Sequence, residues 1–147
     1  MCHPTIVCFN LCFVGNLFNS PINLSLISFS IILLIFFCKK FSNNLNKKTI
    51  SFLGWAFKKD TNDTRESAAI YVADMLIEEQ ATIKVYDPKV TASQILHDLD
   101  YLNTRSQKEN ASFLQTNKDP YRALEGAHAV AVLTEWDEFK SYNWQAI

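Results

Sequence analysis

From Lys47 onward the chain alternates short apolar runs with amphipathic stretches. Thr49-Ile50-Ser51-Phe52-Leu53 is a β-rich run that ends at Gly54. Beyond it, Ala69, Val72, Ala73 and Leu76 recur at i, i+3, i+4 and i+7, which predicts a helix with one buried face. Asp63 and Glu66 stand at capping-box spacing and are expected to start that helix, and Glu78, Glu79 and Gln80 to end it. Thr82–Tyr86 (TIKVY) is a second strand, stopped by Asp87-Pro88. Thr91 and Gln94 form another capping pair before a shorter helix through Ile95, Leu96 and Leu99. Residues 100–112 are polar without an apolar period and are expected to be a loop. A short strand is predicted over Phe113-Leu114-Gln115-Thr116. Asp119 then caps a helix with Pro120 at its first position, closed by Gly126. His128–Thr134 (HAVAVLT) is almost uninterruptedly apolar, as a parallel strand covered on both faces should be. Glu135-Trp136-Asp137-Glu138-Phe139 begins a last helical turn.

Strands and helices alternating at this spacing predict an α/β fold, a Rossmann-like doubly wound parallel sheet. Ligands of such sheets bind at the carboxyl ends of the strands, where the strand order reverses. That places the Gly54–Ser67 stretch, Asp87-Pro88 and the Thr134-Glu135-Trp136 stretch along one edge. With only Gly15, Gly54 and Gly126 in the chain, no GxGxxG dinucleotide fingerprint exists.

The first 40 residues have a different character. Residues 1–38 carry no Asp, Glu, Lys or Arg, and they form an apolar N-terminal leader. Ile22 to Cys38 is a run of seventeen uncharged residues followed by Lys39-Lys40. The run admits three readings: a sequence unrelated to the domain that follows, a membrane anchor with its lysines on the cytoplasmic side, or a buried helix. A cleaved signal peptide fits less well, because no basic residue precedes the apolar run and no clear small-residue cleavage site follows. A cytoplasmic location is expected, with membrane anchoring through residues 22–38 as the alternative. The segment by itself indicates no function.

Charge and cysteine content narrow the chemistry. All 15 acidic residues lie from Asp60 onward, and residues 41–147 carry 12 basic ones, a net charge of −3. No clustered basic face follows from that balance, so nucleic acid is not an expected partner. Cys2, Cys8, Cys12 and Cys38 are the four cysteines. They form no CxxC and have no histidines at zinc spacing, so no metal site is expected. Residues 41–147 contain no cysteine.

Six of the fourteen residues from Gly54 to Ser67 are charged, three of each sign, between a strand and a helix expected to be buried. Lys58 and Lys59 at the mouth of the sheet, next to a helix N-terminus, suit a phosphate. Arg65, placed in the first helical turn, would oppose the helix dipole and so favour an anionic neighbour. The plainer reading is a surface ion-pair network among Lys58, Lys59, Asp60, Asp63, Arg65 and Glu66, each pair worth about 0–1 kcal/mol. Asp87 occupies the place of a ribose-binding carboxylate, yet Asp-Pro more simply ends a strand. Trp136 reads as a packing residue, and His97 and His128 as structural or exposed. The sequons at Asn62 and Asn110 matter only in a secreted chain.

The run GWAFKKDTNDTRES resembles the opening of the C-terminal, UDP-binding domain of the UDP-glucose/GDP-mannose dehydrogenase family, where the pattern is GxAFKKDTxDTRES. The resemblance spans about Phe41 to Ile147. It continues through Val85-Tyr86-Asp87-Pro88-Lys89-Val90, Lys118-Asp119-Pro120-Tyr121 and Gly126-Ala127-His128-Ala129-Val130, into Thr134-Glu135-Trp136-Asp137. With TEWDxF downstream, it looks closer to the eukaryotic UDP-glucose 6-dehydrogenases than to the GDP-mannose or UDP-N-acetylmannosamine dehydrogenases. Trp55 and Asn62 depart from the family pattern without removing a contact group.

The resemblance implies residues 41–147 as the UDP-binding domain and residues 1–40 as a leader outside it. It implies UDP-glucose at Phe57 and Lys58, NAD at Arg65, and a homo-oligomeric parent enzyme. Such an enzyme oxidises UDP-glucose to UDP-glucuronate with two NAD, capturing the intermediate aldehyde on a cysteine. Against that pattern the thiolate, the NAD-binding domain, the long central helix and the family's FDGR segment are missing here. The domain is therefore expected to be incomplete, truncated at its C-terminal end with an unprotected sheet edge, and inactive on its own. A non-catalytic nucleotide-sugar-binding or assembly module is the alternative.

Overall fold

The computed structural model describes the backbone of residues 5–8 and 22–145, with side chains from residue 30 to 145. Its frame is five parallel strands: β1 (Thr5–Cys8), β2 (Thr49–Leu53), β3 (Thr82–Tyr86), β4 (Leu114–Thr116) and β5 (Ala129–Val132). Their order across the sheet is β1-β5-β2-β3-β4. The helices are α1 (Ile22–Lys40), α2 (Ala68–Glu78), α3 (Ala92–Tyr101), α4 (Gln107–Phe113) and α5 (Pro120–Leu124), followed by a 3-10 turn at Asp137–Ser141.

Strand register sets the carboxyl ends level. Leu53 pairs with Tyr86 on β3 and with Val132 on β5. The chain leaves β2 toward β3 and β4 but returns from β4 to β5 on the far side of β2. With right-handed crossovers, α2 and α3 cover one face and α5 the other. The strand order therefore reverses between β2 and β5, and the crevice of the doubly wound fold opens there. The strands predicted at β2 and β3 hold, with Ile50, Phe52, Leu53, Ile83, Val85, Ala129, Val130 and Ala131 buried. The strand expected over 113–116 begins at Leu114 because Phe113 ends α4, and the one expected over 128–134 is the shorter Ala129–Val132.

Helix α2 buries Ala69, Val72, Ala73 and Leu76, the predicted face. Its start differs from expectation. Ser67 is the N-cap, its hydroxyl accepting from Ala69 N at 3.3 Å. Asp63 is instead occupied by Arg65, and Glu66 sits in the left-handed region at φ 58°, which ends any helix running backward from Ala68. Thr91 and Asp119 cap α3 and α5 as expected.

Residues 100–112 are not a plain loop, because α4 begins at Gln107 under a Ser106 cap. Its anchor is polar. Arg105 is almost fully buried and binds Asp74 and Glu78 of α2, while buried Asn110 donates to Asp100 at 2.8 Å. Hydrogen bonds replace the apolar stripe that a helix of this kind usually shows.

The leader contributes two elements. Helix α1 packs on α2 and buries Leu33 and Phe37 completely, while Ile31, Ile32, Ile35 and Phe36 stay exposed on its outer side. No helix among the described residues is long and apolar enough to cross a membrane. The edge of β5, expected to be unprotected, carries β1 in parallel from Thr5–Ala129 to Cys8–Val132. Four uncharged residues of the leader fill a position where unpaired N–H and C=O groups would otherwise face solvent.

Candidate functional site

Gly54 is the first residue past β2, and nothing larger fits there. Its φ is +96°, and a Cβ would lie 2.4 Å from Thr134 Cβ and 2.6 Å from the Thr134 backbone nitrogen. The close approach brings the ends of β2 and β5 together at the crevice. Gly54 N also donates to Tyr86 O at 2.8 Å, which ties in β3.

The two residues that follow are held rigidly. Trp55 N and Ala56 N donate to Asp87 Oδ2 at 2.7 and 3.1 Å. Trp55 O accepts from the Ser67 hydroxyl at 2.7 Å, and Ala56 O from the Thr134 hydroxyl at 2.7 Å. Trp55 Nε1 donates to Asp98 on α3 at 3.0 Å. Every backbone polar group of Trp55 and Ala56 is thereby satisfied inside the protein, as burial requires.

Phe57 and Lys58 then project out of this base. Phe57 is 42% exposed although large and apolar. Its amide donates to Asp63 O at 2.8 Å, closing residues 57–63 into a compact excursion. Lys58 is exposed, and its charge helps, after the Arg65 contacts, to hold the Asp63 carboxyl down. Lys59 is used differently. It bridges to Asp137 at 2.9 Å, and Lys140 binds the same carboxylate, so the loop after β2 is pinned to the 3-10 turn after β5. Those two hydrogen bonds, Lys140's foremost, bring the Asp137 carboxyl down to about 2. The ion-pair network of the plainer reading therefore exists for Lys59, Asp63 and Arg65, and leaves Lys58 outside it.

Arg65 lies in the turn before α2, not in its first helical turn, so it opposes no dipole there. Its side chain is 88% exposed. Nε and Nη2 donate to the two Asp63 oxygens at 3.0 and 2.7 Å. These bonds hold the Asp63 carboxyl down at about 2 and raise the Arg65 guanidinium. The fork uses one side of the guanidinium and leaves the Nη1 edge to solvent. Phe57 and Lys58 thus crown the crevice at β2, whereas Arg65 faces a separate hollow between its own turn and α3.

Asp87 is the residue whose importance composition understated. It is 8% exposed and accepts from Trp55 N, Ala56 N and Trp136 Nε1 on Oδ2, and from Lys89 N and Val90 N on Oδ1. Both oxygens are saturated by protein donors, which leaves none for a ribose. The strand-ending reading stands, in a stronger form: one carboxylate ties three loops. Trp136 is buried, as a packing residue should be. His128 Nδ1 accepts from Thr49 N at 3.0 Å and is structural.

Beside the crevice, Glu138 accepts from the hydroxyls of Tyr86 and Tyr142 at 2.8 and 2.7 Å. Burial, followed by this carboxylate, pushes the Tyr86 phenol up to about 12 and raises Tyr142 as well. No periodicity signals this trio, since its members come from β3 and from the 3-10 turn and its exit.

Known proteins resemble this chain in sequence and in fold. The UDP-binding domain of the UDP-glucose/GDP-mannose dehydrogenase family matches residues 51–147. UDP-glucose 6-dehydrogenase of Caenorhabditis elegans is 49% identical over 105 residues, and that of Bos taurus 46% over 105 residues; each match covers 71% of this chain and 21% of the relative. The chain thus spans about a fifth of the length of these relatives. Among solved structures, a UDP-glucose dehydrogenase from Pyrobaculum islandicum superposes with a TM-score of 0.60 at 24% identity, covering 82% of this chain and 24% of that one. A UDP-D-ManNAc dehydrogenase from Pyrococcus horikoshii gives 0.56 at 25% identity, over 81% of this chain and 23% of its own. With its sheet, its glycine-to-threonine crossing and its GxAFKKDT loop all in place, this chain belongs to the UDP-glucose/GDP-mannose dehydrogenase family, of which it carries the UDP-binding domain.

Proposed function

We propose that the chain supplies part of the UDP-glucose site of an NAD-dependent UDP-glucose 6-dehydrogenase and does not carry out the oxidation by itself. The observation behind this is the contrast within one loop. Trp55 and Ala56 are locked by four hydrogen bonds to their backbone and one from the Trp55 indole, while Phe57 and Lys58, the next two residues, stand exposed above the crevice. An immobile base under an exposed aromatic ring and an uncommitted ammonium is a preorganised holder for a sugar-nucleotide diphosphate. Lys58 supplies the charge, and Phe57 a flat apolar surface.

Arg65 carries the cofactor side of the reading. Its open Nη1 edge offers donors to a phosphate of NAD, which when bound accepts hydride from the sugar. Nothing else in residues 41–147 resembles a dinucleotide cradle, since no GxGxxG is present. Covalent capture of an aldehyde needs a thiolate, and these residues contain no cysteine. Residues 41–147 are in this reading the UDP-binding unit, working in the cytoplasm within a homo-oligomeric enzyme whose remaining groups complete the site. Incubating the purified chain with UDP-glucose and NAD tests the negative half: no NADH should form, and sustained NADH formation would overturn it.

A further inference from the structure

Helix α1 leaves an ordered apolar surface uncovered. Two i, i+4 rows run side by side on its outer face, Ile31-Ile35-Lys39 and Ile32-Phe36-Lys40, each with two apolar residues and then a lysine. All six side chains are exposed, the four apolar ones by at least 38%. On the opposite face Leu33 and Phe37 are completely buried where the helix packs on α2. One side of α1 therefore fixes it to the domain and the other stands in the open. Single exposed isoleucines are ordinary, whereas four large apolar side chains on two consecutive turns mark a contact surface.

Charge decides what covers it. Lys39 and Lys40 make no ion pair with any described residue, and no Asp or Glu precedes Asp60 in the chain. Lys47, exposed in the loop between α1 and β2, adds a third cation. The carboxylate that reaches this end of α1 is Glu79, which closes α2. It acts on Cys38, packed against the core, where burial first and then this charge raise the thiol. A second copy laid on the same rows would add its own lysines and no carboxylate of α1 to meet them. The helix dipole favours lysines in a last turn but gives no reason for the apolar rows before them. We infer that this face of α1 lies in the surface of an anionic membrane, with Ile31, Ile32, Ile35 and Phe36 in the acyl boundary and Lys39 and Lys40 at the lipid phosphates. Lipid supplies both things the rows lack, an apolar medium and anions at its edge. The rows extend about 14 Å, about half of the hydrocarbon thickness. With its inner face buried as well, the helix lies on the membrane and does not cross it.

Flotation of the full chain with phosphatidylcholine vesicles, prepared with and without phosphatidylserine, tests it. The variants are Ile32→Ser with Ile35→Ser, and Lys39→Gln with Lys40→Gln. All four positions are exposed, and circular dichroism verifies that each variant is folded. The expected result is binding to the phosphatidylserine vesicles that weakens about tenfold or more in either double variant and falls with added salt. Absence of binding to those vesicles, equal binding to both kinds, or unchanged binding in either variant would overturn the inference. Sedimentation velocity without lipid covers the other occupant. Self-association that disappears in the isoleucine variant, together with no vesicle binding, would assign the face to a second copy and overturn the membrane reading.

Discussion

Asp87 Oδ2 accepts the indole N–H of Trp136 across 3.1 Å, joining the end of β3 to the loop after β5. The same oxygen holds the Trp55 and Ala56 amides, so one buried atom fixes the base of the loop that presents Phe57 and Lys58. The site is shaped by a residue that touches no proposed ligand.

Replacing Asp87 by Ala should therefore destabilise the chain by about 3–5 kcal/mol, because several buried donors lose their acceptor at once. Asp87→Asn should cost less, since one oxygen remains. Urea unfolding followed by tryptophan fluorescence measures both. A loss below about 1 kcal/mol for the alanine variant would contradict the assigned role.

Gly54→Ala should destabilise by more than about 2 kcal/mol, since it combines a positive φ with a clash. Removing the Thr134 side chain in the same protein should recover only part of the loss, because the Thr134 backbone nitrogen is itself 2.6 Å from the added Cβ. Full recovery in the double variant would show that the backbone approach is not limiting.

Phe37→Ala in α1 should cost about 3–5 kcal/mol, the usual range for a buried phenylalanine. Ile32→Ala, 59% exposed on the other side of the helix, should change stability little. Thermal unfolding of the two variants separates a leader that belongs to the core from one that merely lies near it. Equal effects would refute the packing.

The carboxyls of Asp63 and Asp137 both titrate near 2, below the unfolded value of about 3.9. A lowered folded pKa means that each interaction contributes fully above about pH 4 and is lost as pH falls toward 2. Carbon-detected NMR titration should show both side chains still ionised at about pH 3. Tyr86 has the opposite sign. Its phenol is raised to about 12, so its contribution is complete below about pH 10 and lost as pH rises through 12. Ultraviolet titration of Tyr86→Phe against the parent should remove one late-ionising phenol.

The central strands and the site loop were legible in the sequence because their signals are local. Apolar runs marked β2, β3 and β5, and the GxAFKKDT order marked the loop. Three features were not legible, each for a physical reason. Helix α4 is anchored through Arg105 and Asn110, so it shows no apolar period. The true cap of α2 is Ser67, and both the turn before it and the left-handed Glu66 compete with the Asp63–Glu66 spacing that mimics a capping box. The pairing of Thr5–Cys8 with β5 joins residues more than 120 positions apart, and no local pattern encodes such a partner.

The central claim is that Phe57 and Lys58 hold a UDP-sugar without the rest of the enzyme's chemistry. Calorimetric titration of the chain with UDP-glucose, repeated with Lys58→Ala, tests it most directly. The account predicts saturable binding that weakens about tenfold or more when the ammonium is removed. Absence of binding in the parent chain, or equal affinity in Lys58→Ala, would contradict it.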